Sequence, residues 1–239
     1  MVYRIAEKFK SIQGEGVYTG TPMAFIRFVG CSVGKTICQH CDTDFDKPLP
    51  WRGGGEFSER DLLLWAYPYR HVCITGGEPL DQDLVPLFLD NEHVTTFHIE
   101  TSGTVMPDSI RNLLERDRAF SVGEERRYWL CVSPKPGFRE DVVALADEVK
   151  VIVPGLGEIN QAVRNHWTLD PEKSDPQLKR WPVVQDAVRW AAEGKTVFLQ
   201  PRNAKYDVDY VNLGLVQDIL REHPELRLST QMHKILKVQ

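Results

Sequence analysis

An α/β architecture is expected for this chain, built on about six parallel strands and arranged either as an open doubly wound sheet or as a partial (β/α) barrel. Two observations lead there. Short apolar runs rich in β-branched residues recur along the 239 residues, and segments of helical length and spacing lie between them. Parallel strands joined by helices require right-handed crossovers, and both arrangements gather function at the carboxyl ends of the strands.

The elements follow in chain order. The strand runs are Met23 to Val29, His71 to Thr75, Val94 to Ile99, Tyr128 to Val132, Glu148 to Val153 and Thr196 to Leu199. Each reads as apolar on both faces and is too short for a helix, the pattern of a buried parallel strand. Helical spacing marks Glu59 to Tyr67, Leu84 to Asn91, Asp108 to Arg118, Arg139 to Ala146, Val183 to Glu193 and Asp209 to Glu222, often with Ser, Asp or Pro at the start. Strand and helix therefore alternate six times. Pro48 to Glu56 (PLPWRGGGE) reads as a Pro/Gly loop, and His166 to Pro182, with Pro171, Pro176 and Pro182, as a polar insertion. Neither a repeat nor a low-complexity tract is present, and residues 1–239 are expected to form a single domain.

Composition narrows the function classes. The chain is 42% apolar and 26% charged, which suits an ordinary globular protein rather than a disordered or fibrous one. A net charge of -5 argues against the large cationic surface that a phosphate backbone requires, so direct nucleic-acid binding is not expected. No apolar run is long enough to span a bilayer. The opening MVYRIAEKFKS carries Arg4, Glu7, Lys8 and Lys10 where a secretory signal needs an apolar stretch. Cytoplasm is the expected compartment.

Five cysteines are an odd count, and Cys31, Cys38 and Cys41 fall within eleven residues just after the first expected strand. That clustering suits a metal in a reducing compartment better than a disulfide framework. Cys38 and Cys41 form a CxxC pair that can reach one metal from a single turn. The six residues between Cys31 and Cys38 are enough to loop back, at roughly 3.5 Å per extended residue. Cys73 and Cys131 lie inside strand runs and read as core residues. Spacing alone leaves zinc and iron–sulfur both open, and zinc would need a fourth ligand, for which His40 is the neighbour. Three cysteines without a convincing fourth leave one position of a four-iron four-sulfur cluster open, and an open coordination position is where a substrate or cofactor binds.

On Cys31, Cys38, Cys41 and the segment Thr75-Gly76-Gly77-Glu78-Pro79 after the second expected strand, the chain resembles the radical S-adenosylmethionine superfamily, whose fold is a partial (β/α) barrel. Within it, the closer resemblance is to the 7-carboxy-7-deazaguanine synthase family. It runs through Ser11-Ile12-Gln13-Gly14-Glu15-Gly16, Phe25-Ile26-Arg27, Cys41-Asp42-Thr43, Ile99-Glu100-Thr101-Ser102-Gly103, Val132-Ser133-Pro134-Lys135, Leu199-Gln200-Pro201 and Gln231-Met232-His233-Lys234. One departure stands out: the superfamily's usual spacing puts three residues between the first two cysteines, where this chain has six.

The resemblance implies a 4Fe-4S cluster on Cys31, Cys38 and Cys41, with the fourth iron binding S-adenosyl-L-methionine. It implies cofactor contacts from His40, Asp42, Gly76, Gly77, Glu78, Ser133, Pro134, Lys135, Gln200 and Pro201, and a Mg2+ ion at Thr43. The substrate implied is 6-carboxy-5,6,7,8-tetrahydropterin, held by Ile12, Gln13, Gly14, Glu15, Arg27, Thr75 and His233, and converted by radical ring contraction with loss of ammonia. A flavodoxin-like electron donor and a homodimer are implied as well. Taken without the resemblance, several residues have plainer readings. Arg27 would be half of an internal salt bridge, Ser133 to Lys135 a helix cap with a solvated lysine, Gln13 to Gly16 a turn, and the Thr43 hydroxyl a local backbone cap. Two other functions share parts of the pattern: a radical enzyme that installs a glycyl radical on a partner protein, and a zinc-stabilised binding module without catalysis.

Overall fold

The structure is a computed structural model, and it describes residues 1–35, 38, 41, 43–89, 93–121, 126–154, 181–204 and 206–238. Its strands form one sheet: β1 (Val2–Ile12), β2 (Pro22–Phe28), β3 (Gly55–Ser58), β4 (His71–Gly76), β5 (Thr96–Thr101), β6 (Tyr128–Val132), β7 (Glu148–Val153), β8 (Thr196–Pro201) and β9 (Arg227–Leu228). Their order across the sheet is β3-β1-β2-β4-β5-β6-β7-β8-β9. The six expected strands are β2 and β4 through β8, and they are mutually parallel. A short β9 adds one more parallel neighbour, while β1 and β3 extend the other edge antiparallel.

Helices α1 (Glu59–Ala66), α2 (Val85–Phe88), α3 (Asp108–Phe120), α4 (Glu140–Leu145), α5 (Val184–Ala192) and α6 (Tyr210–Glu222) pack on the outer face, and α7 (Met232–Leu236) lies against the loop after β1, with its Met232 N–H donating to the Gly14 carbonyl at 2.8 Å. The start of α1 is fixed by a capping box, in which the Ser58 side chain and Asp61 satisfy each other's backbone N–H groups. The Pro/Gly loop contains a 3-10 turn at Pro50–Arg52 and then becomes β3. Of the polar insertion, only Trp181 and Pro182 lie within the described residues.

One expectation about the strands is corrected. They are not apolar on both faces. Outward residues such as Ile26, Phe28, Ile74, Ile99, Leu130, Val149, Val151 and Leu199 form the main core beneath the helices. Each such side chain contributes roughly 1.5–3 kcal/mol by leaving water. The alternate positions carry Arg27, Thr75, His98, Glu100, Cys131, Glu148, Lys150 and Gln200, so the inner face is polar and largely buried. A bulge in β1 between Ile5 and Glu7 breaks its alternation: Tyr3 and Ile5 join the outer core, whereas Glu7 pairs with Arg27.

The loop from Gln13 to Thr21, between β1 and β2, lies across this inner face. Gln13 reaches Glu100 of β5, Glu15 reaches Lys150 of β7 and Gln200 of β8, and the Val17 N–H reaches Glu148. Tyr18 stacks edge-on against His98 and Trp129, at 4.5 and 5.0 Å between ring centroids. One loop touching strands so far apart in the sheet requires the sheet to curve around it, as in a barrel left open.

Candidate active site

The cysteine loop leaves the carboxyl end of β2 and is tied down at both ends. The Gly30 N–H donates to the Phe45 carbonyl at 2.9 Å, and Lys35 pairs with Asp46 at 2.6 Å. Asp81 accepts from the Ser32 N–H at 2.7 Å. The Cys41 N–H donates to the Cys38 carbonyl at 3.0 Å, closing the turn that carries the CxxC pair. Burial pushes the Cys38 thiol up; Lys135 pulls it down, and Cys41 and Cys31 push it further up. Cys31 is likewise raised, chiefly by burial, with the backbone of Gly34 and Val33 opposing and Glu78 and Asp81 adding negative charge. The three thiols therefore lie within electrostatic range of one another. Three thiols on one loop beside a lysine are the donor set that a multiply charged metal centre stabilises, so these residues fit a cluster.

The end of β4 meets this loop. A Cβ on Gly77 would lie 2.0 Å from the Gly30 carbonyl oxygen and 2.5 Å from the Cys31 Cβ, and one on Gly76 would lie 2.8 Å from the Phe28 carbonyl oxygen. Both glycines are required by close backbone approach. Glu78 is fully buried. Its Oε1 accepts from the Leu80 N–H at 3.0 Å and the Thr101 hydroxyl at 2.7 Å, while Oε2 accepts from the Ser102 N–H at 2.8 Å and the Ser102 hydroxyl. Burial raises its pKa, against those donors. In this arrangement the Glu78 carboxylate is spent on the protein's own groups, and it pins the glycine segment to the end of β5.

At the end of β6, the Lys135 ammonium donates to the Ser133 carbonyl at 2.9 Å and the Ser133 hydroxyl at 2.7 Å. Burial lowers its pKa, and the nearby Cys38 works the other way. The lysine is thus turned inward toward the cysteines, not solvated. Pro134 is buried beside it.

Below the loop the inner face holds one connected polar network. Lys150 Nζ donates to Glu15 Oε2 at 2.7 Å and Glu100 Oε2 at 2.8 Å. Glu15 Oε1 accepts from Gln231 at 2.9 Å and Gln200 at 3.2 Å, and Glu100 Oε1 accepts from Gln13 at 3.2 Å. Burial alone would raise Glu15, but the Lys150 ammonium and the bonds from Lys150 and Gln231 prevail and hold it at about 2. Burial alone would lower Lys150, but the carboxylates Glu100, Glu15 and Glu148 around it prevail and drive it well up. The donor atoms of Glu100, Cys131 and Glu148 lie within 4.8 Å of one another, a spacing that could hold a metal; here the Lys150 ammonium supplies the positive charge.

The structure brings most of the expected residues to this end of the sheet. His233 packs on Gly14, where a Cβ would lie 2.1 Å from its Nδ1. Thr75 is the register partner of Arg27, and Gln200 and Pro201 end β8, whereas Ile12 lies at the other end of the sheet, opposite Pro22 at the start of β2. Thr43 is half-buried, with its carbonyl 4.0 Å from the Cys41 sulfur. Arg27 Nε donates to Glu7 Oε1 at 2.8 Å, which is the internal pairing anticipated as its alternative. His40 and Asp42 lie outside the described residues. Sequence reasoning gave no role to Lys150, Glu100, Glu148, Gln231 or Glu7. The signal for Lys150 is Glu148-Val149-Lys150-Val151, where opposite charges two apart share one face of a strand.

Three cysteine thiols at the mouth of an open α/β barrel, with a glycine pair packed against the first of them, place the chain in the class of radical S-adenosylmethionine enzymes. No family model matches it. The 7-carboxy-7-deazaguanine synthase of Escherichia coli is 40% identical over the whole of both chains, and that of Burkholderia multivorans 31% over the whole of both. The enzyme of Nitratidesulfovibrio vulgaris is 31% identical over 80% of this chain and 91% of its own. Among solved structures, the crystal structure of QueE from Escherichia coli superposes with a TM-score of 0.59 and 27% identity, covering 98% of this chain and 95% of that one. The chain belongs to the 7-carboxy-7-deazaguanine synthase family. That membership decides against both the glycyl-radical activator and the zinc-stabilised module. Among the described residues, no helix is long and apolar enough to cross a membrane.

Proposed function

We propose that this enzyme converts 6-carboxy-5,6,7,8-tetrahydropterin to 7-carboxy-7-deazaguanine, with ring contraction and loss of ammonia, in 7-deazapurine biosynthesis of the queuosine type. The observation that carries this reading is the juxtaposition of three interacting thiols with a buried pocket lining that offers an ionised carboxylate, Glu15, and a guanidinium, Arg27. Bound at Cys31, Cys38 and Cys41, the cluster together with S-adenosylmethionine supplies the radical that starts the reaction.

The chain's own residues bind, orient and exclude water. Gly76 and Gly77 expose backbone for the amino acid end of the cofactor, with Glu78 fixing their path. Ser133, Pro134, Lys135, Gln200 and Pro201 line the rest of its site, joined by His40 and Asp42. Lys135 adds a positive charge that favours the thiolate form of Cys38. For the substrate, Arg27 receives the carboxylate in a charge-assisted hydrogen bond. Glu15 accepts from ring and amino N–H groups, and Ile12, Gln13, Gly14, Thr75 and His233 complete the pocket. The Thr43 hydroxyl would hold Mg2+, an ion that prefers oxygen ligands and keeps several waters. A flavodoxin-like protein delivers electrons to the cysteine face, the enzyme works as a homodimer, and its free thiols suit the cytoplasm.

The test is anaerobic reconstitution with iron and sulfide, followed by incubation with reductant, S-adenosylmethionine and carboxytetrahydropterin. Deazaguanine product is the expected result. Cofactor cleavage without that product would overturn the substrate assignment, and a colourless protein with one zinc would overturn the cluster.

A further inference from the structure

Lys150 belongs to none of the groups assigned above to cluster, cofactor or substrate, yet it is the hub of the pocket lining. It is 3% exposed at the centre of β7, with its ammonium within 2.8 Å of two carboxylates carried by different parts of the chain. A charge so deeply buried persists only when paired, and removing one partner leaves another stranded. The two carboxylates it joins are unlike in setting. Glu100 is fixed to β5 and bonded to Gln13, whereas Glu15 sits on the loop between β1 and β2 and is held by side chains alone, from Lys150, Gln200 and Gln231. Without the lysine, both the position of Glu15 and its negative charge would lose their main support.

We propose that Lys150 is the positioning residue of the substrate pocket: by clamping Glu15 to Glu100 it keeps Glu15 a hydrogen-bond acceptor, and so restricts the pocket to rings that present N–H donors. This rests on the reading of Glu15 as the acceptor for the pterin ring. Three donors reach Glu15, whose two oxygens offer about four lone-pair sites, so an acceptor position is left for a ligand. A protonated Glu15 would instead offer an O–H and accept a ring that presents a carbonyl. The charged and titratable groups around the pair are Glu148 of β7, Glu100 and His98 of β5, Cys131 of β6, Cys73 of β4, Lys135 after β6 and His233 of α7. Of these, His233 aids Lys150 in holding Glu15 ionised, and the burial of the site opposes them.

The experiment compares wild-type holoenzyme with Lys150→Met, Lys150→Arg and the double variant Lys150→Met/Glu100→Gln, measuring KM and kcat for carboxytetrahydropterin from about pH 8 to about pH 6, the range in which an unpaired buried glutamate takes up its proton. The double variant removes the second stranded charge and guards against a Lys150→Met that does not fold. In the folded Met-containing variants, KM is expected to rise about tenfold or more and to worsen as pH falls, with kcat less affected. Lys150→Arg keeps the charge and is expected to hold KM independent of pH over that range. A folded Met-containing variant with wild-type KM at every pH would overturn the assignment, as would equal losses in KM and kcat with no change in pH profile. The wild-type enzyme is the control for the underlying reading: if it makes no deazaguanine the function fails, whereas product from wild type with an indifferent Lys150 sinks only this proposal.

Discussion

Arg27 and Glu7 are joined across the β1–β2 pair by a 2.8 Å hydrogen bond from Nε to Oε1, and the other oxygen of Glu7 is held by Arg52 at 3.1 Å. Two guanidiniums share one carboxylate, which leaves one net positive charge four residues before Cys31. An arginine paired in this way is oriented for an incoming anion, and its removal leaves Glu7 still matched by Arg52.

Replacing Arg27 by Ala is therefore expected to leave the fold intact and to spare cofactor cleavage. Substrate binding should weaken by about 1.5–3 kcal/mol, roughly tenfold to a hundredfold in KM, the loss typical of a hydrogen bond to a charged group. Steady-state kinetics beside an assay of uncoupled S-adenosylmethionine cleavage separates the two effects. Equal loss in both would mean that Arg27 serves the structure alone.

At Gly77 the added methyl of Ala would collide with backbone, the Gly30 carbonyl, and with the Cys31 side chain. Gly77→Ala should cost about 1–3 kcal/mol of stability through overpacking, and should displace the first cysteine from its partners. Iron and acid-labile sulfide measured after anaerobic reconstitution are expected to fall well below the wild-type content. Full loading at wild-type stability would show that the close approach is not required.

The five cysteines should divide sharply on substitution. Cys38→Ala is expected to abolish cluster assembly with little change in melting temperature of the metal-free protein. Cys73 is buried against Met23 and Phe25, so Cys73→Ala should keep the cluster and lose about 1 kcal/mol of stability. Iron content and thermal melts of both variants check this.

Acid stability should show two overlapping windows, one opened by His98 and a lower one by Glu15. Burial, His71 and Lys150 hold His98 down at about 3, so in the folded chain it stays neutral where the unfolded chain takes up a proton. Stability is expected to fall as pH drops below 6.5, by up to about 1.4 kcal/mol per pH unit for this one proton, and His98→Asn should flatten that slope. Glu15, depressed to about 2, contributes stability that is present above pH 4.5 and lost as pH falls toward 2, so Glu15→Gln should flatten the lower window. Urea midpoints across both ranges, compared with wild type, provide the measurement.

The six parallel strands were legible because buried β-branched runs leave few alternatives, and the six helices of the crossovers because their apolar spacing is regular. β1 was not. Its Arg4, Glu7, Lys8 and Lys10 interrupt the apolar run by which a buried strand is recognised, yet Glu7 is buried against two arginines, and Lys8 and Lys10 lie over the rings of Phe57, Trp65 and Tyr69. Cation–ring contacts and an ion pair across an antiparallel edge depend on partners distant in sequence. The cysteines and glycines were legible as motifs because their chemistry is local. Lys150 was hidden for the opposite reason: a single lysine in an apolar strand has meaning only once Glu15, Glu100 and Glu148 are seen around it.

The hydrogen bond between Glu15 and Gln231 closes a span of 216 residues. A chain emerging from the ribosome thus has its cysteine loop early but lacks the Gln231 partner of Glu15 until residue 231 has been made. The late step also carries the largest loop-closure entropy, which makes ligand binding a sensitive report on whether the whole sheet has formed.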